Sequence, residues 1–307
     1  MNMKDSDKAT KKATQIRIWL KILVFILVLT SLYVQLSKVN WADTKGLNLV
    51  HFWALLVSLL LLNLNLGLEF WKWKAITNPL KIESKYIKNS FWAGIASGFM
   101  TPNGWGNFLG RMIYFQKRDR IYIVFATALA NLSQLLPTLF FGLIALSWLK
   151  SPEHVSIWLY VSALGMGIVL LYFFADRVIP RKKSSVKWVR YMQFIRGRYN
   201  SLKLKLLVFS SLRYLIFSLQ FVLIFVSFGY TDFWFLLRSV WLIYIITAFV
   251  PSLWSGKVLI RESAALFVLQ GSMVSVPDIL IASILIYIIN IALPAFLSSF
   301  VWLPKKQ

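Results

Sequence analysis

The stretch Gly98-Phe99-Met100-Thr101-Pro102-Asn103-Gly104-Trp105-Gly106-Asn107-Phe108-Leu109-Gly110-Arg111 breaks an otherwise apolar segment and decides how the chain is organised. Its glycines and its proline cannot sustain a helix across a bilayer, because proline removes a backbone donor and glycine adds conformational freedom. Upstream of the break, Ser90–Met100 is too short to cover the hydrocarbon core, which takes about 20 residues. Both flanks are basic: Lys72, Lys74, Lys81, Lys85 and Lys88 precede the segment, and Arg111, Lys117, Arg118 and Arg120 end it. Loops rich in Lys and Arg mark the cytoplasmic face. The segment 89–118 is therefore predicted to enter and leave on one side, as a helix–break–helix re-entrant hairpin. Non-helical backbone at that depth is tolerated only where protein buries it or water lines it.

Working outward, the rest of the chain reads as membrane helices. Hydrophobic residues make up 58% of the 307 and charged residues only 15%, an apolar excess that needs lipid to cover it. The blocks are long and show no strand-like alternation, which excludes a β-barrel. Apolar spans are expected at about 16–36, 49–71, 121–149, 155–175, 206–228 and 278–302. A second interrupted segment, 234–270, breaks at Pro251, Ser252, Ser255 and Gly256. Segments 1–17, 72–88, 111–120, 177–205 and the C-terminus hold 26 of the 34 Lys and Arg, which predicts both termini on the cytoplasmic side of a cell inner membrane. The second hairpin then opens outward.

These expectations assemble into an all-α polytopic protein of about six full spans and two oppositely oriented re-entrant hairpins. The halves, about 16–150 and 155–303, match span for span in inverted topology, the plan of many secondary transporters. Pro102-Asn103-Gly104-Trp105 and Pro251-Ser252-Leu253-Trp254 share P-x-x-W, with Arg111 and Arg261 following at similar spacing. Residues 1–15 read as a disordered cytoplasmic tail and 16–307 as a single membrane domain. The first span, Ile16 to about Leu36, exceeds a signal-peptide core and lacks a small-x-small cleavage site, so it reads as retained. Within 181–203, Trp188, Tyr191, Met192 and Ile195 fall at helical spacing among basic residues, which predicts an interfacial helix on the inner leaflet.

Several function classes drop out. The net charge of +23 is concentrated in loops that flank apolar spans, so it marks a membrane surface rather than nucleic-acid binding. There is no Cys, and His51 and His154 lie far apart, so no metal site is expected. No Ser/His/Asp set, carboxylate cluster or phosphate-binding loop appears, and neither an enzyme nor a cofactor is predicted.

Ionisable residues inside a bilayer are costly and count as candidate sites. Arg111, Lys257, Arg261 and Glu262 flank the two breaks, where half-helix ends and arginines would suit an anion. Asn103 joins them as a substrate contact, and Pro102, Gly104, Gly106, Gly110, Pro251, Ser252 and Gly256 form the breaks. Glu69 and Asp176 read as interfacial, and Arg238 as snorkelling to the surface. Arg213 lies deeper in its span, within reach of the headgroups. Asn131, Gln134 and Asn290 read as helix-packing polar groups.

Gly98 to Arg111, with Pro102, Gly104, Gly110 and Arg111, resembles the P…G…GR signature of the lysylphosphatidylglycerol synthase transmembrane (flippase-like) family. Pro251 through Gly256 to Arg261-Glu262 resembles its second signature, a glycine-rich turn followed by RE. Where that family usually has another Gly before the RE pair, this chain has Val258-Leu259-Ile260. The resemblance covers the membrane part, without the large soluble transferase domain of members that make aminoacylated lipids. It implies movement of an anionic or modified phospholipid between leaflets. A transporter of a small anionic solute and a non-transporting partner of a separate lipid-modifying enzyme are the alternatives, and a homo-oligomer is compatible with each.

Overall fold

The computed structural model describes residues 26, 30, 33, 37, 49–101, 106–117, 119–148, 152–174, 187–250 and 256–301, without the side chains of 121, 152–158, 187–200, 256–258 and 301. The expected first span, 16–36, therefore lies almost wholly outside the described residues, as do 1–15 and the C-terminal tail.

The described chain is all α. Helix α1 (Phe52–Thr77) leads through a short 3-10 turn into α2 (Ser84–Phe99), which pairs with α3 (Gly106–Met112). Then come α4 (Arg120–Leu146), α5 (Pro152–Phe174) and the long α6 (Lys187–Ser227). The basic segment expected as an interfacial helix forms, from Lys187, the first turns of α6, which runs unbroken to Ser227. Helices α7 (Phe233–Phe249) and α8 (Gly256–Leu269) make the second pair. Finally α9 (Val276–Tyr287) passes through a π-helical turn, Ile288–Ala292, into α10 (Leu293–Val301).

Four of these stretches are long and apolar enough to cross a membrane: Phe52–Leu80, Tyr122–Leu146, Ser201–Ser227 and Val276–Phe300. They make the protein a multi-pass membrane protein. The described apolar part of α5, Leu159–Phe174, and the whole of α7 are shorter.

Local chemistry sets the helix ends. Asp232 accepts a hydrogen bond from Phe235 N and starts α7, while Ser275 accepts from Asp278 N and starts α9 with Pro277 in its first turn. Gly229 and Gly271 take left-handed φ values of 97° and 73° in the turns before those two helices.

The centre of the molecule is an antiparallel crossing of α1 and α6. Ser58 Oγ donates to the Gln220 carbonyl at 3.1 Å, and Gln220 Nε2 donates back to the Ser58 carbonyl at 2.9 Å. At one end His51 N donates to Ser227 O, and toward the other Trp71 meets Phe209. The remaining helices pack about this crossing in a reciprocal way. The first arm of each pair rests on the last span of the other half: α2 on α10, and α7 on α4. Phe99 and Met100 thus join Tyr287, Ala292 and Ala295 in one apolar cluster, and Trp241 joins Ala145 and Tyr214 in its counterpart.

Candidate functional site

The first helix pair closes through small residues. Ala93, Gly94, Ser97 and Gly98 of α2 face Gly106, Asn107 and Gly110 of α3. A Cβ on Gly106 would overlap the Ser97 carbonyl, and one on Gly110 would overlap Ser97 Oγ and the Ala93 carbonyl. Only glycine permits so close a backbone approach. Thr101 turns the chain: its hydroxyl accepts from Gly106 N at 2.6 Å and donates to the Ser97 carbonyl at 3.0 Å. Ser97 Oγ lies 2.6 Å from both the Ala93 and Gly106 carbonyls, locking the arms together.

That closure aims Arg111 into the protein, where it is 2% exposed. Gly94 makes the room, since a Cβ there would lie 2.7 Å from Arg111 Nε. The guanidinium sits 4.4 Å over the Trp73 ring, and Nη2 donates to Glu69 Oε1 at 3.1 Å.

Glu69 is the hub of a buried ionic knot. Lys72 Nζ, one helical turn on, lies 2.7 Å from Glu69 Oε2, and Arg213 Nη1 from α6 reaches the same oxygen at 3.0 Å. Arg213 Nε also donates to Asn65 Oδ1 at 2.7 Å, and Asn65 in turn donates to Asn290 Oδ1. Gln134 Oε1 accepts from Lys72 at 3.3 Å and from Arg213 at 3.4 Å.

The knot lies near the middle of every one of the four long spans. Gln134 is the central residue of Tyr122–Leu146, and Arg213 is one residue from the centre of Ser201–Ser227. Asn65 is likewise one from the centre of Phe52–Leu80, with Glu69 about 4.5 Å beyond the centre at 1.5 Å per residue. Asn290 is two from the centre of Val276–Phe300, on the π turn. Pro294 has no N–H to offer the Asn290 carbonyl, which explains why the helix widens there.

The charges do not balance. Among the described residues, Lys72, Arg111 and Arg213 face the one carboxylate of Glu69, a formal excess of two positive charges in a low-dielectric setting. Polar capacity is also left over: Arg111 Nε, Asn107 Oδ1 and Asn290 Nδ2 are buried without a hydrogen-bond partner. Buried polar groups are ordinarily satisfied; Asn107 Oδ1 is an acceptor, but the two spare donors, Arg111 Nε and Asn290 Nδ2, beside excess positive charge suit an incoming anion. Among the described residues no group of His, Asp or Glu is arranged to hold a metal.

The expected site residues fare differently. Gly106, Gly110 and Arg111 come together as described. Asn103, Pro102, Gly104, Pro251 and Ser252 lie outside the described residues, as does the side chain of Lys257; Gly256 is the first residue of α8. Glu262 is buried on α8, and half-buried Arg261 acts electrostatically on the Tyr244 hydroxyl of α7.

Three readings change. Glu69 is the centre of the knot, not an interfacial residue, because α1 continues well past the expected end of the span at 71. Arg213 does not reach toward headgroups but is held by Asn65, Glu69 and Gln134. Lys72, Arg111 and Lys203, counted above as cytoplasmic surface charge, are buried; Lys203 Nζ donates to the Phe173 carbonyl at 2.8 Å. A sequence signal for the hub did exist: Asn65, Glu69 and Lys72 fall at i, i+4 and i+7, one face of a helix.

No family model matches this chain, and neither a curated protein nor a solved structure matches it.

Proposed function

We propose that this protein is a transporter that moves an anionic phospholipid between the leaflets of a cell inner membrane, with the ionic knot as its headgroup site. The observation that carries this reading is the buried excess of cations around Glu69, with Arg213 one residue from the centre of its span. Ionisable groups at that depth mark pathways and substrate sites, and transporter sites lie where the two halves of a repeat meet. Here Glu69, Lys72 and Arg111 come from the first half and Arg213 and Asn290 from the second. The reciprocal packing of α2 on α10 and α7 on α4 supports an inverted repeat. In this reading the pairs α2/α3 and α7/α8 are re-entrant hairpins opening to opposite sides, and both termini are cytoplasmic. At 16 residues α2 is about 24 Å long and α3 much shorter, which fits hairpins that stop within the bilayer. The resemblance of Gly98–Arg111 and Pro251–Glu262 to the flippase-like signatures points to a lipid rather than a soluble anion. The protein acts as a carrier, not as an enzyme.

The test is reconstitution in liposomes with headgroup-labelled lipids and an impermeant quencher. Accelerated loss of the protected fraction for anionic phospholipids, and not for phosphatidylcholine, is the expected result. Equal rates in protein-free vesicles would remove the proposal.

A further inference from the structure

We infer that Glu69 is a built-in stand-in for the transported anion, a carboxylate that an incoming phosphate group displaces from Arg111 and Arg213. This rests on the transport reading above and assigns the exchange within its site. Glu69 presents one oxygen to Arg111 and the other to Arg213, so a single carboxylate bridges the first helix pair to α6 of the second half. Arg111 is engaged through Nη2 while its Nε, equally buried, stays unpartnered. A guanidinium prefers to grip an oxyanion with two parallel donors. A phosphate oxygen pair can therefore use donor capacity on Arg111 that the carboxylate leaves idle. Asn290 Nδ2, on the side chain that accepts from Asn65, is a second buried donor without a partner.

Glu69 also has somewhere to go. Lys72 sits one turn along the same helix, 2.7 Å from Oε2, and can keep the carboxylate when the arginines let go. The exchange thus needs no charge to become solitary: phosphate pairs with the two arginines and Glu69 pairs with Lys72. Because the incoming phosphate takes over from the carboxylate as the bridge between Arg111 and Arg213, the tie from the first helix pair to α6 passes from Glu69 to the ligand, linking occupancy of the site to how the pair is held.

The experiment is anion titration of the purified full chain by calorimetry, with inorganic phosphate in detergent in one arm and nanodiscs containing phosphatidylglycerol or only phosphatidylcholine in the other. Removing a competing carboxylate should tighten anion binding, so Glu69→Gln is expected to bind about tenfold more tightly than wild type. Glu69→Asp, which keeps the charge but shortens the reach to both arginines, should fall in between. Arg111→Lys and Arg213→Lys should each bind more weakly. Tight binding in the phosphate arm identifies a free oxyanion as ligand, and binding confined to phosphatidylglycerol nanodiscs identifies a lipid headgroup; either supports displacement if the Glu69 variants tighten it. Unchanged or weaker binding in a folded Gln or Asp variant overturns the inference, and so does failure of both variants to fold, which would make the carboxylate a structural clasp. Anion-selective flipping by wild type together with unaltered affinity in the variants would sink this inference alone. Absence of both binding and flipping in wild type would sink the transport reading itself.

Discussion

The two helix pairs share one construction and differ in what their charges do. In the first pair, α2 and α3 close on glycines and deliver Arg111 into a network spanning α1, α4, α6 and the π turn before α10. In the second, α8 carries buried Glu262 and half-buried Arg261, the latter acting on the Tyr244 hydroxyl of α7. The α1–α6 crossing shows the same asymmetry. Its antiparallel register pairs His51 with Ser227, Ser58 with Gln220 and Asn65 with Arg213. One half of that crossing carries charge, whereas the half holding Leu55, Leu62, Val222 and Val226 is mostly apolar, its polar contacts being the uncharged Ser58–Gln220 pair and the His51–Ser227 backbone bond. Similar helix packing therefore does not require a similar distribution of charge: the buried ionic network is concentrated on one side of the crossing.

The comparison can be broken most decisively by topology, because labelling is all or none on a chain without Cys. Lys85→Cys and Lys117→Cys, both exposed and flanking the first pair, should react with an impermeant maleimide only from the cytoplasmic side. Met273→Cys, almost fully exposed beyond the second pair, should react only from the other side. Labelling of positions 85 and 117 from opposite faces would exclude a re-entrant first pair.

Next in size is the energetic asymmetry. Arg111→Ala empties a buried site, removing the guanidinium that packs on Trp73 and donates to Glu69, and should cost about 3 kcal/mol. Arg261→Ala, at a half-buried position, should cost about 1 kcal/mol. Thermal unfolding of the detergent-solubilised variants measures both, and equal losses would contradict the distinction between the pairs.

Glycine packing offers a third contrast. Gly110→Ala pushes a methyl group into the Ala93 carbonyl and the Ser97 hydroxyl, which are fixed by hydrogen bonds, and should destabilise by about 3 kcal/mol. Gly142→Ala would put a methyl group 2.7 Å from Ile245 Cβ, where α4 packs on α7; a rotamer change does not move that atom, so the helices must part slightly, at about 2 kcal/mol. The same melting measurement ranks them.

The smallest effect is expected at the turn between α6 and α7. Tyr230 Oη donates to Asp278 Oδ2 at 2.6 Å and accepts from Ser275 N at 2.9 Å, tying that turn to the start of α9. Burial, reinforced by the hydrogen bond to Asp278, raises the Tyr230 hydroxyl above its ordinary pKa. A raised folded-state pKa contributes stability that is present below the unfolded value near 10 and is lost as pH rises through the folded one. Tyr230→Phe should therefore cost about 1 kcal/mol at neutral pH and flatten the fall in melting temperature above about pH 10. An unchanged alkaline profile in the Phe variant would show that another group governs it.

Much of the helix plan was legible before folding. The apolar blocks at 49–71, 121–149 and 278–302 reappear as long helices, shifted by a few residues, because burial of a 20-residue apolar run in lipid is decided locally. Both interruptions fall where the Pro–Gly clusters put them, between Phe99 and Gly106 and between Phe249 and Gly256. Gly110 and Arg111 were legible for the same reason, as they flank a break. The hub was not. Glu69 looked interfacial only because hydropathy falls off at Trp71-Lys72, whereas the helix continues to Thr77.

By itself the sequence determined that this is a helical membrane protein with two broken segments, since chain length, hydropathy and glycine content act over short range. The tertiary structure alone decided which charges meet. Glu69 lies 42 residues from Arg111 and 144 from Arg213, and Asn65 lies 225 from Asn290. Those pairs depend on the crossing of α1 and α6, the closure of α2 on α3 and the widened turn before Pro294. An isolated charge in an apolar run reads alike whether it reaches for water or for a partner on another helix; packing decides which, because desolvating it is tolerable only once the partner is in place.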